Sequence, residues 1–182
     1  MAGVERAGSA RRFGGGTLVK DKTTGRTRTG ERERLQSLAG FRVLDTAPEP
    51  EFDAIAALVR RVGGTEAAAV TFVDGARESA KASLGLHLPD APRALSFGGR
   101  LVERAAPLII EDALCDPLAT AYPWVIDTPG IRFYAGVPLT AGGLVVGTLA
   151  LVDRAPRAAS DGLLEALSDA AAVLLPHLER RR

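Results

Sequence analysis

The sequence predicts a mixed α+β domain whose strands form a central antiparallel sheet. Two pairs of strand patterns are each separated by a short glycine-containing turn, which is typical of antiparallel hairpins. Helical patterns lie before the first hairpin, between the hairpins and after the second, so strands and helices do not alternate one by one. That order favours an α+β fold over a doubly wound parallel sheet.

The first 30 residues differ from the rest of the 182-residue chain in composition and charge. They show no helical or strand periodicity, and they carry seven basic residues against two acidic ones. We therefore expect residues 1–30 to be a disordered basic tail and residues 31–182 to form the folded domain. A basic arm can bind nucleic acid, but no aromatic stacking platform accompanies these charges, so nucleic acid is not an expected partner.

Two helices are predicted at the start of the domain. Leu35 and Leu38 indicate an amphipathic helix over residues 31–40. Thr46 and Glu49 have the spacing of a capping box, in which a hydroxyl and a carboxylate accept the unpaired amides of a helix start. The second helix then carries apolar residues at helical spacing and stops at a glycine pair, at positions Phe52, Ile55, Val59, Val62, Gly63 and Gly64.

The first hairpin follows these helices. Residues 67–74 form an apolar run that predicts a buried strand, and residues 78–84 return after a turn as its partner. Ser96 has the side chain of a helix N-cap and is predicted to start a third helix that continues to residue 104.

The second hairpin is the strongest strand signal in the sequence. Residues 131–140 and 144–153 are two apolar strands joined by a glycine pair that can take positive φ angles. A short strand at 108–111 precedes them, and residues 112–130 form a long irregular connection of a length that is usually functional. An amphipathic helix starting at Ser160 closes the domain.

Composition excludes several classes of protein. No apolar run is long enough to span a membrane, so a cytoplasmic protein is expected. One cysteine and two histidines leave little material for a metal site, and no cofactor is expected. Ser96 lacks the glycine two residues before it that a nucleophile elbow requires. We therefore do not expect this protein to be an enzyme.

Several segments together carry a resemblance to a known family: RLQSLAGFRVLDTAPEPEFD (34–53), AAAVTFVD (67–74), APRALSF (91–97), PLIIEDALCDP (107–117) and IRFYAGVPLTAGGLVVGTLALVD (131–153). In them the chain resembles GAF domains, especially those that precede bacterial histidine kinases and diguanylate cyclases. The resemblance covers roughly residues 31–178. It implies a GAF/PAS-like antiparallel sheet, with the terminal helices on one face and a ligand-pocket loop on the other.

Departures from the family's sequence motifs reduce the set of ligands and activities that we expect for this chain. The Asn-Lys-x-Phe motif of cyclic nucleotide binders is missing from residues 110–153, and Cys115 is not part of the Cys-His pair that commonly holds a bilin. A single cysteine also cannot form the disulfide on which the free methionine sulfoxide reductases of this family depend.

Two functions remain open. The resemblance implies a small-molecule-sensing or regulatory domain in bacterial signal transduction that acts on a separate output protein, such as a histidine kinase. The alternative is a ligand-free GAF scaffold for dimerisation or for docking to a kinase or cyclase. In either case a homodimer through helices 31–40 and 160–178 is expected, because related GAF domains commonly pair through their terminal helices.

A ligand site is expected between the loop 112–130 and the sheet. Tyr122 and Trp124 would form a rigid lid, while Asp112 and Arg132 at the ends of the loop would orient an anionic or amphipathic metabolite. The full predicted set is Phe72, Asp112, Tyr122, Trp124, Ile126, Arg132 and Tyr134. The competing interpretation is that the aromatic residues are core anchors, and it is favoured for Phe72 and Phe133.

Overall fold

The structure is a computed structural model that describes residues 28–182. Its centre is a six-stranded sheet in the order β3-β2-β1-β6-β5-β4, and each neighbouring pair is antiparallel. The strands are β1 Ala67–Val73, β2 Arg77–Leu84, β3 Ala91–Pro92, β4 Leu108–Ile110, β5 Phe133–Ala141 and β6 Leu144–Asp153. Both predicted hairpins, β1-β2 and β5-β6, are confirmed.

Within residues 28–182, five α-helices cover the sheet: α1 Arg28–Phe41, α2 Pro50–Gly63, α3 Phe97–Arg104, α4 Pro123–Ile126 and α5 Leu163–Glu179. Apolar side chains of α1, α2 and α5 share one core with one face of the sheet. Apolar side chains of α3 and α4 share a second core with the opposite face. The predicted α+β architecture, with terminal helices and loop on opposite faces, is therefore confirmed.

The turn between β5 and β6 explains why two glycines occur there. Gly142 and Gly143 have φ angles of 58° and 79°, in the left-handed region that side chains with a Cβ rarely occupy. The glycine pair therefore closes the longest hairpin, and a bulge between Leu139 and Thr140 shifts the register next to the turn.

Three boundaries differ from the prediction. Helix α1 already begins at Arg28, so the last residues of the expected tail are helical, and residues 1–27 lie outside the described part of the chain. The capping box is wrong, because Glu49 makes no side-chain cap and instead pairs with Lys81 at 2.7 Å, while Pro50 opens the helix. Helix α5 begins after Gly162 rather than at Ser160.

Helix α1 is fastened to the sheet by a buried arginine. The Arg34 side chain is fully buried, and its guanidinium donates to the carbonyl oxygens of Val73 at 2.5 Å and Asp74 at 3.1 Å. Glu31 on the same helix accepts two further hydrogen bonds from it, at 2.8 and 3.0 Å. These contacts hold the helix against the end of β1.

None of the helices within residues 28–182 has the length and hydropathy needed to cross a bilayer.

Candidate functional site

The connection between β4 and β5 crosses the sheet face opposite the terminal helices, as predicted. It contains a short 3-10 turn at Ala119–Ala121 and helix α4. Asp116 organises its first half, since the carboxylate accepts the amides of Leu118 and Ala119 and pairs with Arg100 at 2.9 Å. The loop is therefore tied to helix α3.

Four rings pack under this loop and form what we call the aromatic cluster, Phe97, Tyr122, Trp124 and Tyr134. Phe97 is central to it: its ring stacks on Tyr134 at a centroid distance of 4.5 Å and meets Tyr122 edge-on at 5.1 Å. The Trp124 indole lies 6.4 Å from Phe97 and donates its Nε1 hydrogen to the carbonyl of Pro89 at 2.7 Å. All four side chains are buried, so the cluster fills the space between loop and sheet.

The remaining predicted site residues lie elsewhere. Phe72 projects from the other face of the sheet, where its ring meets Phe52 edge-on at 5.9 Å within the terminal-helix core. Ile126 is 61% exposed at the end of α4. The structure thus brings Tyr122, Trp124 and Tyr134 together, and it does not bring Phe72 or Ile126 to them.

Asp112 and Arg132 are paired with each other. Two hydrogen bonds of 2.7 Å join the guanidinium to the two carboxylate oxygens. These hydrogen bonds outweigh desolvation and hold the pKa of Asp112 at about 2, and the same contact raises the pKa of Arg132. Asp112 and Arg132, which were predicted to orient a ligand, therefore neutralise each other's charge at the base of the loop.

A residue that the sequence analysis did not single out, Glu78 on β2, lies beneath the aromatic cluster. Its side chain is 0% exposed. The carboxylate accepts the amide of Gly98 at 2.8 Å and the hydroxyl of Thr71 at 2.8 Å, and the hydroxyls of Thr71 and Thr148 lie 2.8 Å apart. Burial raises the pKa of Glu78, although these hydrogen bonds lower it in part.

The hydroxyl of Tyr134 lies on the same side of the sheet. It is buried and makes no hydrogen bond of normal geometry to any described residue. Burial raises its pKa, and so does the nearby charge of Glu78, while the Thr148 hydroxyl acts in the opposite direction. Unpaired buried hydroxyls are uncommon in folded proteins, and each one calls for an explanation.

A β-bulge explains why Glu78 was missed. The pairing of β1 with β2 shifts register between Val70 and Thr71, so Ala80 and Ala82 pack into opposite cores although they are two residues apart. Simple alternation along β2 therefore fails. The signal that could have found Glu78 is its position opposite Val73, at the end of a wholly apolar strand.

A second group of ionisable residues joins α2 to α5. Single ligand atoms of Glu49, Glu51 and His177 lie within 4.8 Å of one another. The Glu49 carboxylate already pairs with Lys81 at 2.7 Å and also with Arg181, so basic side chains balance its charge. We read this group as a link between helices.

An apolar cavity lies between α2 and α5 on the outer surface, with a volume of about 320 Å³. Three large apolar side chains at it are exposed: Leu58 by 51%, Val62 by 64% and Val173 by 68%. Exposed apolar side chains gathered in one place are typical of interaction surfaces.

The chain is similar to known proteins in sequence and in fold. The chain is 35% identical over 116 residues to a cyclic di-GMP phosphodiesterase of Pseudomonas aeruginosa, a match that covers 63% of this chain and 20% of that protein. The chain therefore spans about a fifth of that relative's length.

Among solved structures, the GAF domain of an Acinetobacter phosphoenolpyruvate-protein phosphotransferase superimposes with a TM-score of 0.60 at 15% identity, covering 84% of this chain and 92% of that one. The free methionine-R-sulfoxide reductase of Neisseria meningitidis superimposes with a TM-score of 0.62 at 16% identity, covering 86% and 93%. At these identities the likeness concerns the fold. Residues 47–175 match the family described as GAF domain, and the chain therefore belongs to the GAF domain family.

Proposed function

We propose that this protein is a regulatory GAF domain of a bacterial signalling system and that it senses a small molecule at the aromatic cluster. The function is binding and regulation, without a chemical step. The observation that carries the proposal is the buried Glu78 carboxylate, which is hydrogen-bonded to the start of α3, on the same side of the sheet as the aromatic cluster and the unpaired hydroxyl of Tyr134.

A buried Glu78 carboxylate and an unpaired Tyr134 hydroxyl both lower the stability of the core that contains them. An unpaired buried polar group destabilises a fold by about 1–3 kcal/mol, and a buried charge without a counter-charge costs more. An apolar residue at position 78 would avoid that cost. Strongly perturbed titratable groups in a ligand-side core are candidates for functional sites, and this supports a binding role.

The site has a physical route to the terminal helices. Arg93 lies in the 3-10 turn just before α3, and its guanidinium contacts Glu31 of α1 at 2.5 Å. Arg93 and Arg34 also both donate to the carbonyl of Asp74. A displacement of α3 by a ligand would therefore pull on α1, on the face that we expect to contact an output protein.

The relative named as a cyclic di-GMP phosphodiesterase supports a signalling context. We propose a cytoplasmic domain that passes its signal to a histidine kinase or another signalling protein. Residues 31–182 would be the functional unit.

Fluorescence of Trp124 tests the sensory proposal. It is the only tryptophan in the chain, so its emission reports the aromatic cluster alone. We expect blue-shifted emission that fractions of a small-molecule extract change in a saturable way. Calorimetry with the active fraction should show affinity lowered by about 1–3 kcal/mol for Trp124→Ala and unchanged for Leu114→Ala, an exposed position in the same loop.

The outcome that contradicts this proposal is also clear. Emission typical of exposed tryptophan, with no response to any fraction, would remove the sensory site and leave the scaffold as the function.

The second candidate function, a scaffold for dimerisation or docking, has its own observation. The apolar cavity between α2 and α5 carries three exposed apolar side chains, Leu58, Val62 and Val173. A second copy packed about a two-fold axis would bury them, so the dimer contact would involve α5, as expected from the sequence, together with α2 in place of α1.

Sedimentation tests the scaffold. We expect a homodimer at tens of micromolar, a range in which specific dimers associate. Val62→Glu and Val173→Glu should both give monomers, because a charge would enter the apolar contact, whereas Leu118→Glu on the loop face should stay dimeric. A monomeric wild-type protein at this concentration would contradict the homodimer.

A further inference from the structure

We propose that the ligand of the aromatic cluster is an organic cation, an alkylated or quaternary ammonium compound whose positive charge pairs with Glu78. This inference rests on the proposed sensory function and names its ligand class. The Glu78 carboxylate would supply the counter-charge, and the rings of Phe97, Tyr134 and Trp124 would contact the alkyl groups.

Glu78 differs from the other buried charged residues in its charge balance. The other buried charged side chains each have a partner of opposite sign: Arg34 with Glu31, Lys81 with Glu49, and Asp153 with Arg157. Glu78 forms no ion pair with any described residue, and hydrogen bonds alone hold its carboxylate. What this site lacks is one positive charge.

The hydrogen bonds around Glu78 run toward its carboxylate. Thr71 donates its hydroxyl hydrogen to Glu78, so it can only accept from Thr148, and the Thr148 hydroxyl then has lone pairs that face Tyr134. Gly98 adds an amide donor. Donors from β1 and α3 thus point toward the carboxylate, and Thr148 of β6 extends this hydrogen-bond chain on the side of Tyr134.

The negative charge of the Glu78 carboxylate excludes an anionic ligand next to it. An anionic ligand would meet the Glu78 charge in a buried setting, where like charges repel strongly. The Arg132 guanidinium that the sequence offered to an anion is already occupied by Asp112. The expectation of an anionic ligand is therefore replaced by that of a cation.

The rings of the aromatic cluster are chemically suited to a cation. Aromatic faces attract cations through their ring quadrupoles, and several rings around a carboxylate suit an ammonium group with alkyl substituents. The cation contacts found with rings in residues 28–182 involve Phe52 and Phe41, which lie in the other core. Among the described residues no cation thus occupies the rings of the aromatic cluster, and a ligand cation would contact the faces of Phe97 and Tyr134 once these rings separate.

A ligand can reach Glu78 only when the rings of the aromatic cluster, which pack on one another, move apart. Phe97 is the first residue of α3 and is followed by two glycines. A Cβ on Gly98 would lie 2.5 Å from the Glu78 carboxyl group, so only glycine lets α3 approach the acid. Two glycines in the first turn also lower its intrinsic helix stability, and a ligand would have to move Phe97 away from Tyr134.

Burial raises the pKa of Glu78, and a bound cation would lower it again because the cation supplies the missing counter-charge. Any proton that Glu78 then releases passes to solvent, and the carboxylate keeps both bonding electrons.

The test compares cations with uncharged isosteres of the same shape. The probes are choline against 3,3-dimethyl-1-butanol and n-butylammonium against 1-pentanol, followed by Trp124 emission and by calorimetry. At least one cation should change the emission of the wild-type protein saturably, with at least tenfold tighter binding than its isostere. Glu78→Gln keeps the shape of the side chain and should lose this preference, and Glu33→Gln, an exposed acid on α1, should retain it.

Other results overturn the ligand class. Equal binding of cation and isostere, retention of the preference in Glu78→Gln, or no binding of either cation would each do so. If extract fractions still change Trp124 emission, the sensory function stands and only its ligand class is wrong. If neither the extract nor the probes change it, both proposals fail together.

Discussion

The ring of Phe97 lies parallel to the ring of Tyr134, with 10° between their planes and 4.5 Å between their centroids. Phe97 opens α3 and Tyr134 belongs to β5, so this stack holds the start of the helix against the sheet. Because Glu78 and the Tyr134 hydroxyl lie beneath it, the stack is also what closes the candidate site. A ligand at this site has to separate the two rings.

The unpaired hydroxyl gives a first prediction. Tyr134→Phe keeps the stacked ring and removes the hydroxyl, so the free energy of unfolding should rise by about 1 kcal/mol, the lower part of the cost of an unsatisfied buried group. Chemical denaturation of both proteins measures the difference. Trp124→Phe is the matched control, because it loses the hydrogen bond to Pro89 and should be less stable. A clear loss of stability in Tyr134→Phe would show that the hydroxyl has a partner.

Glu78 gives a prediction about pH. Its pKa is raised in the folded state, so the folded protein holds this proton more tightly than the unfolded chain does. As pH rises above the unfolded value of about 4.3, the wild type therefore loses stability until Glu78 ionises in the folded state. Glu78→Gln has no such proton to lose.

The stability difference in favour of Glu78→Gln should consequently grow from pH 4 to pH 8. Denaturation midpoints across this range measure it, with Glu33→Gln as the exposed control. A difference that is constant with pH would mean that Glu78 titrates normally.

The anchor of α1 gives a third prediction. Arg34→Met should lower the free energy of unfolding by about 3 kcal/mol, because the carbonyl oxygens of Val73 and Asp74 lose their donor and Glu31 loses one of its two arginines. Arg32→Met, at an exposed position on the same helix, should change it by less than about 0.5 kcal/mol. Equal effects of the two substitutions would contradict the buried anchor.

The apolar face of α5 gives a fourth prediction. Leu167 is buried in the terminal-helix core, so Leu167→Asp should lower the free energy of unfolding by about 3 kcal/mol through an unpaired buried charge. Ala172→Asp, on the exposed side of the same helix, should have little effect. Thermal or denaturant unfolding distinguishes the two, and a small effect of Leu167→Asp would place that face in solvent.

The pattern of residues along the chain determined the elements of the fold. The glycine pair at 142 and 143 dictated a tight hairpin because only glycine adopts those φ angles at low cost. Ser96 caps α3 through the amide of Gly99 at 3.0 Å, as its side chain and position predicted. The position of the long loop over the free sheet face followed from covering the other face with the terminal helices.

The chemistry of the site was decided by contacts between distant parts of the chain. Asp112 and Arg132 looked like two charges for a ligand, but the fold places them in hydrogen-bond contact, and opposite charges at 2.7 Å neutralise each other. Glu49 has the spacing from Thr46 that a capping box requires, but its carboxylate pairs with Lys81 of β2 instead. No local pattern contains this information, because each partner lies on another element.

Glu78 is the clearest case of the same limit. The bulge in β1-β2 pairing changes which face each residue of β2 occupies, so the alternation that assigns faces in a regular strand does not apply. Residues 77–84 alone therefore determine that a strand forms. Only pairing with β1 and the approach of Gly98 decide that its one glutamate is buried beneath the aromatic cluster.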